Sequence, residues 1–175
     1  SLITRDEAFA KPVFFEGRSF QHNVFGQYMK NTYHITRING QLHCYDKGIY
    51  IAGYKTIESK MLEVIPSLKA TQRTETLKFL EVTTPRNEEP SDAKFIAFRN
   101  GVLNIRTMEL LPFSPEFVIT NIIPWDYNAE AYSEVTDSTL NKIACQDPQI
   151  RNILAECIGY CFFRENELSK SFILT

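Results

Sequence analysis

The sequence predicts an α+β fold built from two hairpin-bearing subregions, each packed with helices. Three observations carry that expectation. Two Asn-Gly dipeptides, Asn39-Gly40 and Asn100-Gly101, each sit between short runs of strand-forming residues. Asn-Gly is a strong hairpin signal because both turn residues tolerate positive φ. Apolar residues elsewhere recur at helical spacing, most cleanly at Ile150, Ile153, Leu154, Cys157, Ile158, Cys161 and Phe162. A polar stretch carrying Pro85, Glu88, Glu89, Pro90 and Lys94 separates the two halves and is read as a linker over 85–94.

The bulk numbers bound the rest. The chain has 175 residues, 43% hydrophobic and 23% charged, the composition of a folded domain and not of a disordered one. That length suits one large domain or two small ones. A net charge of −2 gives no chain-wide attraction to nucleic acid, so any DNA contact needs a local patch. No run approaches the ~18 apolar residues of a membrane span, and no membrane partner is expected. The first residues, Ser1-Leu2-Ile3-Thr4-Arg5, lack the basic region and apolar core of a secretory signal. A cytoplasmic setting is therefore expected, with Cys44, Cys145, Cys157 and Cys161 reduced.

Each element follows from local chemistry. Residues 1–20 read as an arm with an aromatic cluster at Phe14, Phe15 and Phe20. Asn23 is expected to cap a helix carrying Phe25, Tyr28 and Met29, with Gly26 weakening it by roughly 1 kcal/mol. His34–Ile38 and Gln41–Tyr45 are the arms of the first hairpin, and Asp46-Lys47-Gly48 turns the chain into Ile49-Tyr50-Ile51. One helix is expected from Thr56 to Ile65, stopped by Pro66, and another from a Thr71 cap to before Pro85. These elements make the first subregion, 1–84.

The second subregion, 95–169, opens with a hairpin of Phe95–Arg99 and Val102–Arg106. An extended, proline-punctuated stretch runs from Pro112 to Pro124 and leads to Trp125-Asp126-Tyr127-Asn128. Thr136 or Asp137 is expected to start a helix carrying Leu140 and Ile143. Asp147-Pro148 starts the last one, with an acid at the cap and proline at the first helical position. Residues 170–175 read as a short apolar strand expected to lead into an ATPase domain.

Little in the chain supports chemistry of its own. His22, His34, His43 and the cysteines do not fall into zinc spacing, and Cys157 and Cys161 share their helical face with aliphatic residues. There is no G-x-S-x-G elbow. Glu88-Glu89 reads as solvated charge and Asp126 as a turn or cap. No catalytic residue and no metal ligand is therefore expected. The first half does interleave basic residues with Tyr33, Tyr45, Tyr50 and Tyr54. Arg37, Lys47, Lys55 and Arg73 are the candidate nucleic-acid contacts, with phosphates on the cations and bases on the rings. The plainer reading is surface lysines over core tyrosines.

Several stretches together resemble phage and plasmid primase–helicases. They are Tyr45-Asp46-Lys47-Gly48-Ile49-Tyr50, then Asn100-Gly101-Val102-Leu103 with Thr107, Leu110 and Ser114-Pro115. Thr120 to Ala131, with Pro124-Trp125-Asp126-Tyr127-Asn128 inside it, and Ile153 to Tyr160 continue the likeness. Ser171-Phe172-Ile173-Leu174-Thr175 is similar to the strand that leads into that family's ATP-binding loop. The region is similar to the helicase-associated domain shared with the poxvirus primase–helicase. By that resemblance Asn100, Gly101, Pro115, Trp125, Tyr127, Gly159 and Tyr160 are structural motif residues. It also implies a non-catalytic linker or collar domain supporting a ring ATPase in a bacterial host cell. It implies no cofactor in this chain, ATP and Mg²⁺ in the parent protein, single-stranded or forked DNA as a partner, and self-association into a ring. The alternative is a stand-alone DNA-binding regulatory module.

Overall fold

The structure, a computed structural model, describes residues 13–163. The expected arm before residue 13 and the strand over 170–175 lie outside the described residues. Among the described residues the fold is α+β, with five helices and three small antiparallel sheets. They divide into two compact units. One runs to Pro90 and takes in Ser114–Thr120; the other holds Ser91–Phe113 and the residues from Asn121 on.

The first unit opens with a small hairpin, β1 (Phe15–Glu16) and β2 (Ser19–Phe20), turned at Gly17 with φ +61°. The aromatic cluster pins this hairpin to helix α1 (His22–Thr32). Phe14 meets Phe25 edge-on with centroids 5.0 Å apart, and Phe20 meets Phe25 at 5.6 Å. The helix begins at Gln21 and not at the expected Asn23, because the Gln21 carbonyl already accepts the Phe25 N–H at 3.0 Å. Gly26 has a packing reason. A Cβ there would lie 2.4 Å from Phe79 Cδ1, so its absence lets the Phe79 ring close onto α1.

The Asn39-Gly40 hairpin forms as read. Strands β3 (Thr36–Ile38) and β4 (Gln41–Asp46) pair with Ile38 opposite Gln41, and both turn residues take positive φ, +49° and +79°. Lys47-Gly48 repeats that turn, at +49° and +95°, into β5 (Ile49–Ala52). Helix α2 (Tyr54–Val64) starts two residues before the expected Thr56. Gly53, at φ +106°, swings the chain off β5 while its N–H still bonds the Leu42 carbonyl at 3.0 Å. Helix α3 (Ala70–Thr83) starts from Lys69 and not Thr71, since the Gln72 side chain reaches back to the Lys69 N–H at 2.9 Å. Phe25, Met29, Ile35, Leu42, Cys44, Ile57, Met61, Leu68 and Leu80 form the shared core. Ser114–Thr120 closes the unit. The Tyr50 N–H donates to the Ile119 carbonyl at 2.8 Å, its hydroxyl donates to the Pro115 carbonyl at 2.7 Å, and Ile119 is fully buried.

In the second unit β6 (Phe95–Phe98), β7 (Gly101–Asn104) and β8 (Glu109–Leu111) form a three-stranded sheet in that order. The hairpin does not use Asn-Gly as its turn. Phe98 pairs with Gly101, so Arg99 and Asn100 are the loop residues, and neither takes a positive φ. Gly101 is required for close approach instead, because a Cβ there would meet the Leu111 carbonyl oxygen at 2.6 Å. Strand β8 carries no glycine or Asn-Gly signal at its entry, which uses Met108 at φ +58°. Helix α4 (Glu134–Ile143) is capped by Ser133, whose hydroxyl accepts from the Thr136 N–H at 3.3 Å; Thr136 and Asp137 thus lie inside the helix. Helix α5 (Pro148–Tyr160) starts as read, with the Asp147 carboxylate accepting from the Gln149 and Ile150 N–H groups. Neither α4 nor α5 contains a buried residue. Among the described residues no helix is long and apolar enough to cross a membrane.

Candidate nucleic-acid interface and motif clasp

Helix α3 ends with carbonyls that have no helical partner, as every helix does. Two cations satisfy them. Lys30 Nζ donates to the Thr83 carbonyl at 2.7 Å. Arg37, on β3, donates from Nε to the Thr84 carbonyl at 2.8 Å and from Nη2 to the Glu81 carbonyl at 3.1 Å. Its Nη1 bonds the Gly40 carbonyl at 2.8 Å, and its Nη2 is ion-paired with the Glu81 carboxylate. The guanidinium therefore ties the hairpin turn to the end of α3, a use of the planar five-donor fork that lysine cannot copy.

Glu81 has a second partner. The Tyr54 hydroxyl donates to Glu81 Oε1 at 2.5 Å. That bond, and then Arg37, hold the Glu81 carboxyl below the usual carboxylate range, and the same bond pushes the Tyr54 phenol up. Gly40, Gln41, Leu42, Gly53, Tyr54 and Glu81 line a cleft of about 290 Å³ beside this network.

The four candidate cations do not form one patch. Arg37 borders the cleft through Gly40 and Glu81, and exposed Lys55 follows Tyr54 at the start of α2. Lys47 sits exposed at the other end of β4, in the β4–β5 turn. Arg73 is committed to structure. It is ion-paired with Glu58 at 3.3 Å and donates to the Leu68 carbonyl at 2.9 Å, fixing the start of α3 to α2. Of the four interleaved tyrosines, Tyr54 stands half exposed at 51%. Tyr50 is core, with burial pushing its phenol up to about 12. Tyr54 stands out in the sequence as an aromatic among cations, but no local signal points to Glu81, which fixes its ring.

In the second unit several motif residues converge. Asn100 Nδ2 donates to the Tyr127 carbonyl at 3.0 Å, and its Oδ1 accepts the Tyr127 N–H at 2.9 Å. Next to it, the Arg99 N–H donates to the Trp125 carbonyl at 3.0 Å, and its guanidinium grips Asp126 in a two-pronged pair at 2.8 and 2.9 Å. Phe98 and Tyr127 pack with centroids 5.5 Å apart. This clasp holds residues 123–127 along β6, where Phe98 bridges Ile123. Trp125 is left 71% exposed. Asp126 thus has a structural partner, which keeps its carboxyl below the usual range. Pro115 belongs to the first unit and not to the clasp; its carbonyl accepts the Tyr50 hydroxyl there. Gly159 and Tyr160 lie on α5, and a Cβ at Gly159 would meet nothing within 4 Å. Among the described residues, no group of three or more His, Cys, Asp and Glu is placed to hold a metal ion.

Comparison with curated proteins finds no match. Comparison with protein families matches residues 22–159, most of the chain, to the family described as D5 N terminal like. The chain belongs to this family, whose domain is found in primase–helicase proteins.

Proposed function

We propose that the chain is a non-catalytic helicase-associated domain of a phage or plasmid replication primase–helicase, acting in the cytoplasm of the host. In this reading it supports a ring ATPase by holding copies together and by touching DNA. ATP and Mg²⁺ belong to the motor of the parent protein and not to these residues.

One observation carries the reading. Among the described residues the apolar stripe of α5 and the residues just after it is largely bare: Ile150 is 46% exposed, Ile153 58%, Ile158 48% and Phe162 49%. On α4, Ile143 and Val135 are exposed as well. Isolated exposed apolar residues need no explanation, but a stripe along a whole helix marks a contact surface. A helical face of this kind suits the same face of a second copy, as in a collar.

The test combines two assays on the purified chain. Expected are no Mg²⁺-dependent ATP hydrolysis, and weak, sequence-indifferent binding to single-stranded DNA. ATP turnover would contradict the non-catalytic reading. Tight, sequence-selective duplex binding with a steep salt dependence would instead favour the stand-alone regulatory module.

A further inference from the structure

We infer that the cleft between the Asn39-Gly40 turn, the start of α2 and the last turns of α3 takes one unpaired nucleobase, with the Tyr54 ring as its stacking platform. This rests on the reading that the domain touches single-stranded DNA, and it names where. Four properties of the cleft support it.

The first is size. At about 290 Å³, the cleft sits at the small end of ligand pockets and suits one planar group. Two glycines border it. Gly40 and Gly53 both line it, both have positive φ, and a Cβ at either would have nothing within 4 Å. The second is preorganisation. An exposed tyrosine ordinarily loses rotamer freedom on binding. Tyr54 has already lost it, because its hydroxyl is fixed by Glu81 at 2.5 Å and Glu81 is fixed by Arg37.

The third is charge. Glu81 lines the cleft, which disfavours a free anion there, and Arg37 offsets that carboxylate so that a neutral base is tolerated. Lys55, which follows Tyr54 in the first turn of α2, is exposed and has no ion-pair partner among the described residues, so a free cation for a phosphate stands in the same turn as the ring. The fourth is the lining. Besides the Tyr54 ring, Leu42 is the sole aliphatic side chain among the lining residues named, and it is itself buried. Exposed Gln41 offers a donor and an acceptor to a base edge whatever the base. Base-tolerant stacking on an aromatic ring beside a cation is how proteins hold single strands.

The experiment uses the whole chain and an oligothymidylate carrying one 5-iodouracil. Ultraviolet crosslinking followed by peptide mass spectrometry is expected to place the crosslink on Tyr54. In parallel, fluorescence anisotropy at low salt compares wild type, Tyr54→Ala and Tyr54→Phe. Losing one stacked base weakens binding by roughly 5- to 150-fold, so that loss is expected for the alanine variant. The phenylalanine variant keeps the ring but loses the hydroxyl bond that fixes it, so its affinity is expected to fall between wild type and the alanine variant. If Tyr54→Ala fails to fold, the crosslink on wild-type protein still decides. Wild-type binding with crosslinks elsewhere and no loss in Tyr54→Ala overturns the cleft while leaving the DNA reading standing. No wild-type binding overturns both.

Discussion

Asn100 and Tyr127 exchange two hydrogen bonds, Nδ2 to the Tyr127 carbonyl at 3.0 Å and the Tyr127 N–H to Oδ1 at 2.9 Å. An asparagine read as half of a turn signal is in fact a backbone mimic. It pairs with a distant segment as a strand would, and alanine cannot. With both bonds exposed to water, Asn100→Ala is expected to destabilise the second unit by about 1 kcal/mol. Asn100→Asp, which keeps the acceptor and loses the donor, falls between. Urea melts followed by the fluorescence of Trp125, the single tryptophan, report this. An unchanged midpoint for Asn100→Ala contradicts the clasp.

Gly26→Ala sets helix propensity against packing. In an open helix the substitution stabilises by about 1 kcal/mol. Here the new methyl would stand 2.4 Å from Phe79 Cδ1, so the ring or the helix must move. A net destabilisation of about 1–3 kcal/mol is expected from such overpacking. A raised melting temperature would show that α1 and α3 pack less closely than described.

Arg37 is a candidate phosphate contact by sequence, and its hydrogen bonds give it another task. Arg37→Ala leaves the Thr84, Glu81 and Gly40 carbonyls without this donor and the Glu81 carboxylate with Tyr54 alone. A stability loss of about 2–3 kcal/mol is expected, with Arg37→Lys recovering only part of it. A variant of wild-type stability whose DNA salt slope falls by about one would instead make Arg37 a phosphate contact.

Glu81 predicts an acid limb. Its folded carboxyl lies below the ordinary range, held first by Tyr54 and then by Arg37. Its stabilisation is therefore complete above the unfolded carboxylate pKa and is lost as pH falls through the lower folded value. Glu81→Gln should flatten this part of the stability–pH curve while leaving the part around neutral pH parallel to wild type. An unaltered acid limb contradicts the network.

The cysteines should separate by reactivity. Burial pushes the Cys44 thiol up to about 11, while Cys145 and Cys161 are exposed. A disulfide-exchange reagent at neutral pH should label Cys145 and Cys161 promptly and Cys44 only on unfolding, because the thiolate is the nucleophile. Prompt labelling of Cys44 would mean that β4 is not in the core.

Much of the architecture is legible in the sequence because it rests on local signals. Asn39-Gly40 supplies the two positive φ values its turn needs, and the Asp147-Pro148 pair caps and opens α5 as read. Helix starts shift where the obvious cap is not the one used: α1 starts from Gln21 with no side-chain cap, and α3 from Lys69, where Gln72 reaches back. Asn100-Gly101 misleads for a non-local reason. Its glycine answers to the Leu111 carbonyl and its asparagine to Tyr127, both fixed only once the sheet has formed. The α5 stripe is visible in its period, but period alone places apolar residues on one face and cannot say what covers that face. Around the cleft, Tyr54 is visible as an aromatic among cations, whereas Glu81, far along the chain, is not.

In the proposed function, copies meet through the bare face of α5. The most direct measurement is the solution mass of the chain across a concentration series, for wild type and for Ile153→Glu with Ile158→Glu. Both positions are about half exposed, so the charges are tolerated within one copy. The wild-type mass is expected to rise above the 20.2 kDa of one chain, and the variant to stay at that value with an unchanged melting temperature. A wild type that remains at one-chain mass at every concentration, or a variant that associates equally well, contradicts that contact.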